Sequence, residues 1–172
     1  YAAGLNYDGN VVDTDWEHYR RLMSVNLDGA FQVGSVFGKK MIEQGSGSFV
    51  FLSSFAGLRG EAGASVYCAS KFGLIGFVES FAAEMTSHNI RVNAISPGNV
   101  DSPMLKNVAE LIAKRNSSSA IEIYNEMQTS GAAKRLVLPS EVANLAVYLS
   151  SELASGITGS IVKIDCGAGI DG

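Results

Sequence analysis

The sequence predicts an α/β fold in which a parallel sheet is covered by helices. Two observations carry that expectation. Short β-rich apolar runs, "FVFLSS" (49–54), "IRVNAIS" (90–96) and "GSIVKIDCG" (159–167), recur along the chain, and stretches with helical apolar spacing separate them. Strands joined through helices lie parallel, because such a connection crosses back over the sheet before the next strand begins.

The elements follow in order. "YAAGLNYDG" (1–9) reads as the end of a strand running into a turn, with Gly4 as the breaker. Thr14 and Glu17 in "TDWE" form a capping-box signature, and the helical pattern runs from there to about Glu43, with an irregularity around Asn26, Asp28 and Gly29. "GSGS" breaks it, and strand 49–54 follows as a buried apolar run. "FAGLRGEAGAS" is a glycine-rich loop. Residues 65–88 then read as a helix, with Phe77, Phe81 and Met85 at helical spacing. Strand 90–96 ends at "PG". Two helical stretches, about 104–114 and 119–129, precede a helix opened by Pro139, whose apolar positions are Val142, Leu145, Ala146 and Leu149. There are no internal repeats and no interdomain linker, so residues 1–172 read as a single domain.

Composition narrows the function classes. The chain is 47% hydrophobic and 17% charged, which places it among globular proteins rather than disordered ones. A net charge of −4 gives no electrostatic footprint for nucleic acid. No apolar run of membrane-spanning length is expected, and the first residues lack the charged and apolar regions of a signal peptide. Cys68 and Cys166 lie far apart without metal-like spacing and read as buried thiols of a reducing, cytoplasmic setting. His18 and His88 have no partners at ligand spacing, so no metal site is expected. Asn116-Ser117-Ser118 fits a glycosylation acceptor but has no secretory signal to support it.

In such sheets the chemistry sits beyond the carboxyl ends of the strands. Ser53 and Ser54 end one strand, "SPGNVDSPM" (96–104) follows another, and Gly4 follows the first. Tyr67 begins the helix after the Ser54 loop, and Lys71 lies one turn further on the same face. One reading of this pair is packing, with the lysine reaching to water along its stem. The other is that the ammonium favours the phenolate, lowering a phenol pKa that starts near ~10 and readying Tyr67 to exchange a proton with an alcohol or carbonyl. Ser54 is placed to hydrogen-bond the same substrate oxygen. Asn26, at the helix irregularity, is placed to hold a water that links Lys71 to solvent.

Taken together, "YAAG" (1–4), "VNLDGAF" (25–31), "FLSS" (51–54), "YCASK" (67–71), "RVNAISPGNVDSPM" (91–104) and "IVKIDCGAG" (161–169) resemble the short-chain dehydrogenase/reductase family, in its order and spacing along nearly the whole chain. The resemblance implies a doubly wound, Rossmann-like parallel sheet of which this sequence holds the C-terminal part. It implies Tyr67 as general acid/base, and Lys71 as the residue that lowers its pKa and hydrogen-bonds the nicotinamide ribose. Ser54 becomes the donor to the substrate oxygen and Asn26 the water-holding relay residue. Ala3 and Gly4 with Pro97, Gly98, Val100 and Ser102 join Tyr67 and Lys71 as cofactor contacts, Val100 meeting the carboxamide through its backbone. The reaction implied is hydride transfer between NAD or NADP and a carbonyl/secondary-alcohol pair, on a small-molecule substrate, with neither nucleic acid nor membrane as partner.

The sequence departs from the family at two points. Tyr1 stands where the family opens its "N-x-A-G" turn with asparagine, which puts the bracing of the central strand in question. The glycine-rich phosphate turn is missing. At ~30 residues per βα unit, about three units are expected ahead of Tyr1. The one G-x-G-x-x-G match, "GAGIDG" (167–172), has no helix after it to receive a pyrophosphate and is read as the family's glycine-rich ending. Small residues on the two long helices (Gly29, Ala30, Gly34 and Gly38; Gly73, Gly76, Ala82 and Ala83) suit close helix approach. The resemblance implies a homodimer or homotetramer built on them, although internal packing would leave the same pattern. Loop 55–66 and stretch 103–130, with Arg59, Glu61, Asn99 and Met104, are the expected substrate region. Two functions stay open: an oxidoreductase, and a non-catalytic short form that serves as a dimerising module.

Overall fold

The computed structural model describes residues 1–170; Asp171 and Gly172, the end of the "GAGIDG" run, lie outside the described residues. Helix α1 (Trp16–Met23) passes through one π-helical turn (Ser24–Asp28) into α2 (Gly29–Gln44), so the predicted irregularity at Asn26 is a bulge within a continuous helix. The cap of α1 is Asp15, whose carboxylate accepts from His18 N at 2.8 Å; Thr14 instead donates its hydroxyl to the Asn10 carbonyl. The sequence expectation was one residue early, because two adjacent residues both suit a cap. Gly45, in the left-handed conformation (φ 75°), ends α2 with its N–H on the Met41 and Ile42 carbonyls.

Strands β1 (Gly47–Leu52), β2 (Ile90–Pro97) and β3 (Ile161–Ile164) form a parallel sheet in the order β1-β2-β3, with Phe51 opposite Ala94 and Ile95 opposite Val162. Tyr1 extends the sheet beyond β1: its N–H donates to the Val50 carbonyl at 2.7 Å, and Leu52 N donates to its carbonyl at 2.9 Å. The Tyr1 hydroxyl donates to the Val25 carbonyl at 2.5 Å, so this residue braces the first strand against the π turn.

Alternation along β1 fills two cores. Phe49 and Phe51 turn to one face, where α2 and α3 (Ser65–Met85) supply Ala30, Leu74, Val78 and Phe81. Val50 and Leu52 turn to the other, against Ile95, Val137 and the Val142, Leu145, Ala146 and Leu149 stripe of α6 (Pro139–Ser150). A fully buried side chain such as Phe51 contributes roughly 1.5–3 kcal/mol. Glu141 fixes the entry to α6, accepting from Leu138 N and pairing with both Arg135 nitrogens at 2.8 Å. Arg135 is thereby partnered rather than left to solvent. Trp16 is 72% exposed and stacks on Tyr19. The run Ser65–His88 meets the length and apolarity of a membrane span, contrary to expectation. Its inner side packs on the sheet through Leu74, Val78 and Phe81, so its apolarity belongs to the core helix of a two-faced sheet.

Between β2 and α6, helices α4 (Pro103–Asn116) and α5 (Ala120–Thr129) form a hairpin that packs chiefly on itself.

Candidate active site

The carboxyl ends of β1 and β2, the turn after Tyr1, and Ala168 and Gly169 beyond β3 line one cavity of about 610 Å³. Ser54 is the first residue off β1 that leaves the ladder; Ser53 still donates its N–H to the Ile95 carbonyl. The Ser54 hydroxyl accepts from Ala56 N at 3.2 Å, which caps a short helical turn (Phe55–Gly57) and holds the side chain at the cavity floor. The chain then loops back, and the first two turns of α3 bring Tyr67 and Lys71 onto the same floor.

Lys71 is buried, and its Nζ donates to the Leu52 carbonyl at 2.9 Å. Burial lowers its pKa from 10.5 to about 8. Nζ lies 5.7 Å from the centroid of the Tyr67 ring. The phenol departs from the sequence expectation: burial pushes its pKa up, the neighbouring Ser54 hydroxyl pulls it down, and the Glu61 carboxylate adds to the rise. Desolvation of the phenolate sets the direction in this geometry, and the Ser54 hydroxyl is what opposes it. Tyr67 is accordingly a neutral phenol at neutral pH, in the form that gives up a proton.

Asn26 is fully buried in the π turn. Its Nδ2 donates to the Leu5 carbonyl at 2.9 Å and to Ser70 Oγ at 3.0 Å, and its Oδ1 accepts from Leu5 N at 2.7 Å. The side-chain amide thus ties the first turn of the chain to α3. Gly4 lies between this amide and the lysine: a Cβ there would sit 3.7 Å from Asn26 Oδ1 and 3.8 Å from Lys71 Nζ.

The family model described as enoyl-(acyl carrier protein) reductase matches residues 1–169. The 3-oxoacyl-(acyl-carrier-protein) reductase FabG of Thermotoga maritima is 35% identical over 165 residues, 96% of this chain and 63% of that protein. A short-chain dehydrogenase/reductase of Armillaria gallica is 35% identical over 170 residues, 98% of this chain and 64% of that protein. The chain belongs to the short-chain dehydrogenase/reductase family. A crystal structure of NAD+-bound xylitol dehydrogenase superposes with a TM-score of 0.90 at 30% identity, covering 94% of this chain and 65% of that one. The parallel sheet with flanking helices is the Rossmann-like architecture of that family. The chain spans a little under two thirds of the length of the curated relatives it matches.

Of the other residues singled out in the sequence, Gly4, Pro97, Gly98, Val100 and Ser102 line the cavity, whereas Ala3 is exposed and is not on its wall. Gly98 passes so close to the end of β3 that a Cβ would stand 3.0 Å from Asp165 Cα, which explains the glycine. Val100 bridges Val137 through the Asn99 carbonyl and the Asp101 N–H, leaving its own N–H turned to the opposite side. Ser102 caps α4, accepting from Leu105 N at 3.3 Å. Arg59, Glu61, Asn99 and Met104 also line the cavity.

Sequence reasoning missed Ser70, Asn93, Asp8 and Arg115. Ser70 is the buried link between Asn26 and the Tyr67 carbonyl. Asn93 holds the approach to β3, donating to the Ile157 carbonyl and accepting from Ser160 N. Asp8 and Arg115 pair across 107 residues, a distance at which no local spacing signals contact.

Proposed function

We propose that the whole protein is an oxidoreductase that uses NAD or NADP to interconvert a secondary alcohol and a ketone, with Tyr67, Lys71, Ser54 and Asn26 as its proton-handling residues. The observation that carries this reading is the convergence of Ser54, Tyr67 and Lys71 on one cavity floor at the carboxyl ends of parallel strands. The nicotinamide side of a dinucleotide fits the residues present. The Val100 N–H would meet a carboxamide, Pro97 and Gly98 would line the ring, and Lys71 would donate to a ribose hydroxyl. When bound, the cofactor supplies or accepts the hydride.

The protein's own part is proton management and positioning. Ser54 donates a hydrogen bond to the substrate oxygen and fixes it beside the Tyr67 phenol. Tyr67, neutral at pH 7, gives its proton to a ketone oxygen in reduction and must first lose it to serve alcohol oxidation. Lys71 supports the phenolate once it forms. Because the Asn26 amide is already committed, its contribution to a water link must come through its backbone and through the position it gives Gly4 and Leu5. The mixed lining, with Arg59, Glu61 and Asn99 among Met104, Leu105 and Ile112, suits a small or medium polar ketone or alcohol. As an assembly surface we propose the outer face of α2 and α3, where Phe31, Val36, Phe37 and Phe72 are exposed.

The test is a spectrophotometric hydride-transfer assay on the whole protein, with both reduced cofactors against a panel of polar ketones and both oxidised cofactors against secondary alcohols. Turnover is expected with at least one pair, and oxidation should gain more from rising pH than reduction does. Absence of turnover with every pair, in a protein that binds either cofactor, would overturn the reading.

A further inference from the structure

We propose that Arg115 and Asp8 form a latch that holds the α4–α5 hairpin closed over the cavity, which makes both of them positioning residues. The effect on turnover rests on the reaction proposed above; the latch itself does not.

The hairpin is attached at two ends. At its base, Asn99 Nδ2 donates to the Met127 carbonyl at 2.9 Å and to Ser130 Oγ at 3.2 Å, while Tyr124 OH donates to Asp101 Oδ1 at 3.2 Å. At its tip, where α4 ends before the 117–119 turn, Arg115 Nη1 donates to Asp8 Oδ2 at 2.7 Å. Among the described residues this is the one side-chain hydrogen bond or ion pair that joins the tip to the rest of the chain. Otherwise α4 and α5 pack mainly on each other, with Leu105, Val108 and Ile112 turned to the cavity. A hairpin fixed by hydrogen bonds at its base and by one ion pair at its tip is a cover with a hinge and a catch.

The catch has a built seat. The Asp8 side chain is 6% exposed and that of Arg115 26% exposed, so the pair is largely out of water. Asp8 Oδ1 is buried without a hydrogen-bond partner, which leaves the carboxylate dependent on the guanidinium. Gly9 N donates to the Gly63 carbonyl at 2.7 Å and clamps the Asp8 loop to the loop before α3. Gly63 has φ 80°, and a Cβ there would run into the Arg115 guanidinium, so a glycine leaves room for the seat. Both loops lead into the cavity wall, through Asp8 on one and Glu61 and Ala62 on the other. Releasing the catch strands a buried carboxylate and frees the tip, which opens the cavity to water and loosens its grip on substrate.

Backbone hydrogen exchange and steady-state kinetics on the same variants test this. Arg115→Ala should speed exchange of amides in 103–130 about tenfold or more while those of β1 and β2 keep their protection. It should raise KM for the substrate about tenfold and change kcat less than about threefold. Arg115→Lys should lie between, and the exchanged pair Asp8→Arg with Arg115→Asp should recover part of the protection that either single change loses. Unchanged exchange in 103–130 for Arg115→Ala would overturn the latch. So would equal loss of protection in β1 and β2, which would mark the pair as a general stabiliser. Should Arg115→Ala fail to fold, the comparison passes to Arg115→Lys and Asp8→Asn, and protection in 103–130 equal to that of the unmodified chain in both overturns the latch. If the exchange shifts as expected but no variant, nor the unmodified protein, turns over substrate, the reaction reading fails and the latch stands.

Discussion

Lys71 shows at the residue scale what the proposed site costs in stability. Its ammonium is buried with one hydrogen bond, to the Leu52 carbonyl, and titrates at about 8 rather than 10.5. Between those two values the unfolded chain binds more protons than the folded one, so this group makes stability rise with pH across pH 8 to 10.5. Below about pH 8 the full penalty applies, on the order of 3 kcal/mol. Lys71→Met should therefore raise stability at pH 7.5 and remove that rise, while cutting both turnover and cofactor affinity in the whole protein. Urea unfolding at pH 7.5 and 9.5 checks it: the gap between variant and parent should narrow at the higher pH, and a gap independent of pH would contradict it. That Tyr67, Lys71 and Ser54 would meet at one cavity was legible in the sequence, because their spacing places them at a strand end and on one face of the next helix. The direction of the Tyr67 shift was not, because desolvation depends on what folds around the phenol. Asp8 and Arg115 were invisible for a related reason: an ion pair made across the whole fold leaves no local pattern.

Helices and strands were readable to within about two residues wherever periodicity was strong. Predicted strand 49–54 is observed as Gly47–Leu52, 90–96 as Ile90–Pro97, and helix 65–88 as Ser65–Met85 with a closing turn. Periodicity sees burial, and Ser53 is buried and still donates to the Ile95 carbonyl beyond Leu52, which displaced the predicted end of β1. The small-residue stripe of α2 was ambiguous, and the structure divides it. Gly34 and Gly38 face Phe77 and Phe81 of α3, and Gly73 faces Leu27, so much of the stripe serves packing within the chain. The same close approach at the end of β2 gives a prediction for the site. In Gly98→Ala, the new methyl would meet Asp165 Cβ at 2.9 Å and Asp165 Cα at 3.0 Å, and backbone must shift. A loss of about 1–3 kcal/mol is expected, read as a lower urea midpoint. An unchanged midpoint would mean that the 97–102 wall yields freely and is a poor platform for a ring.

Across the whole molecule, the sheet separates two tasks. One core joins β1 and β2 to α2 and α3, whose outer face carries exposed aromatic residues; the carboxyl edge carries the cavity. Gly76 lies on exposed α3 surface, and a Cβ added there would meet no atom within 4 Å, so a charge placed there leaves the fold intact. Gly76→Glu should thus lower the oligomeric state seen by light scattering with little change in melting temperature, whereas an unchanged assembly would assign that face to solvent. Phe77, stacked on Phe81 and edge-on to Phe51, is the wrong place for that test, because a charge there would enter the core. The central claim is that the cavity floor moves a proton through Tyr67. Its most direct measurement is turnover of the whole protein beside that of Tyr67→Phe, with cofactor binding followed by calorimetry in both. The phenylalanine variant should bind cofactor nearly as well as the parent and turn over slower by roughly 10²–10⁴-fold. Turnover within a few-fold of the parent would contradict the account.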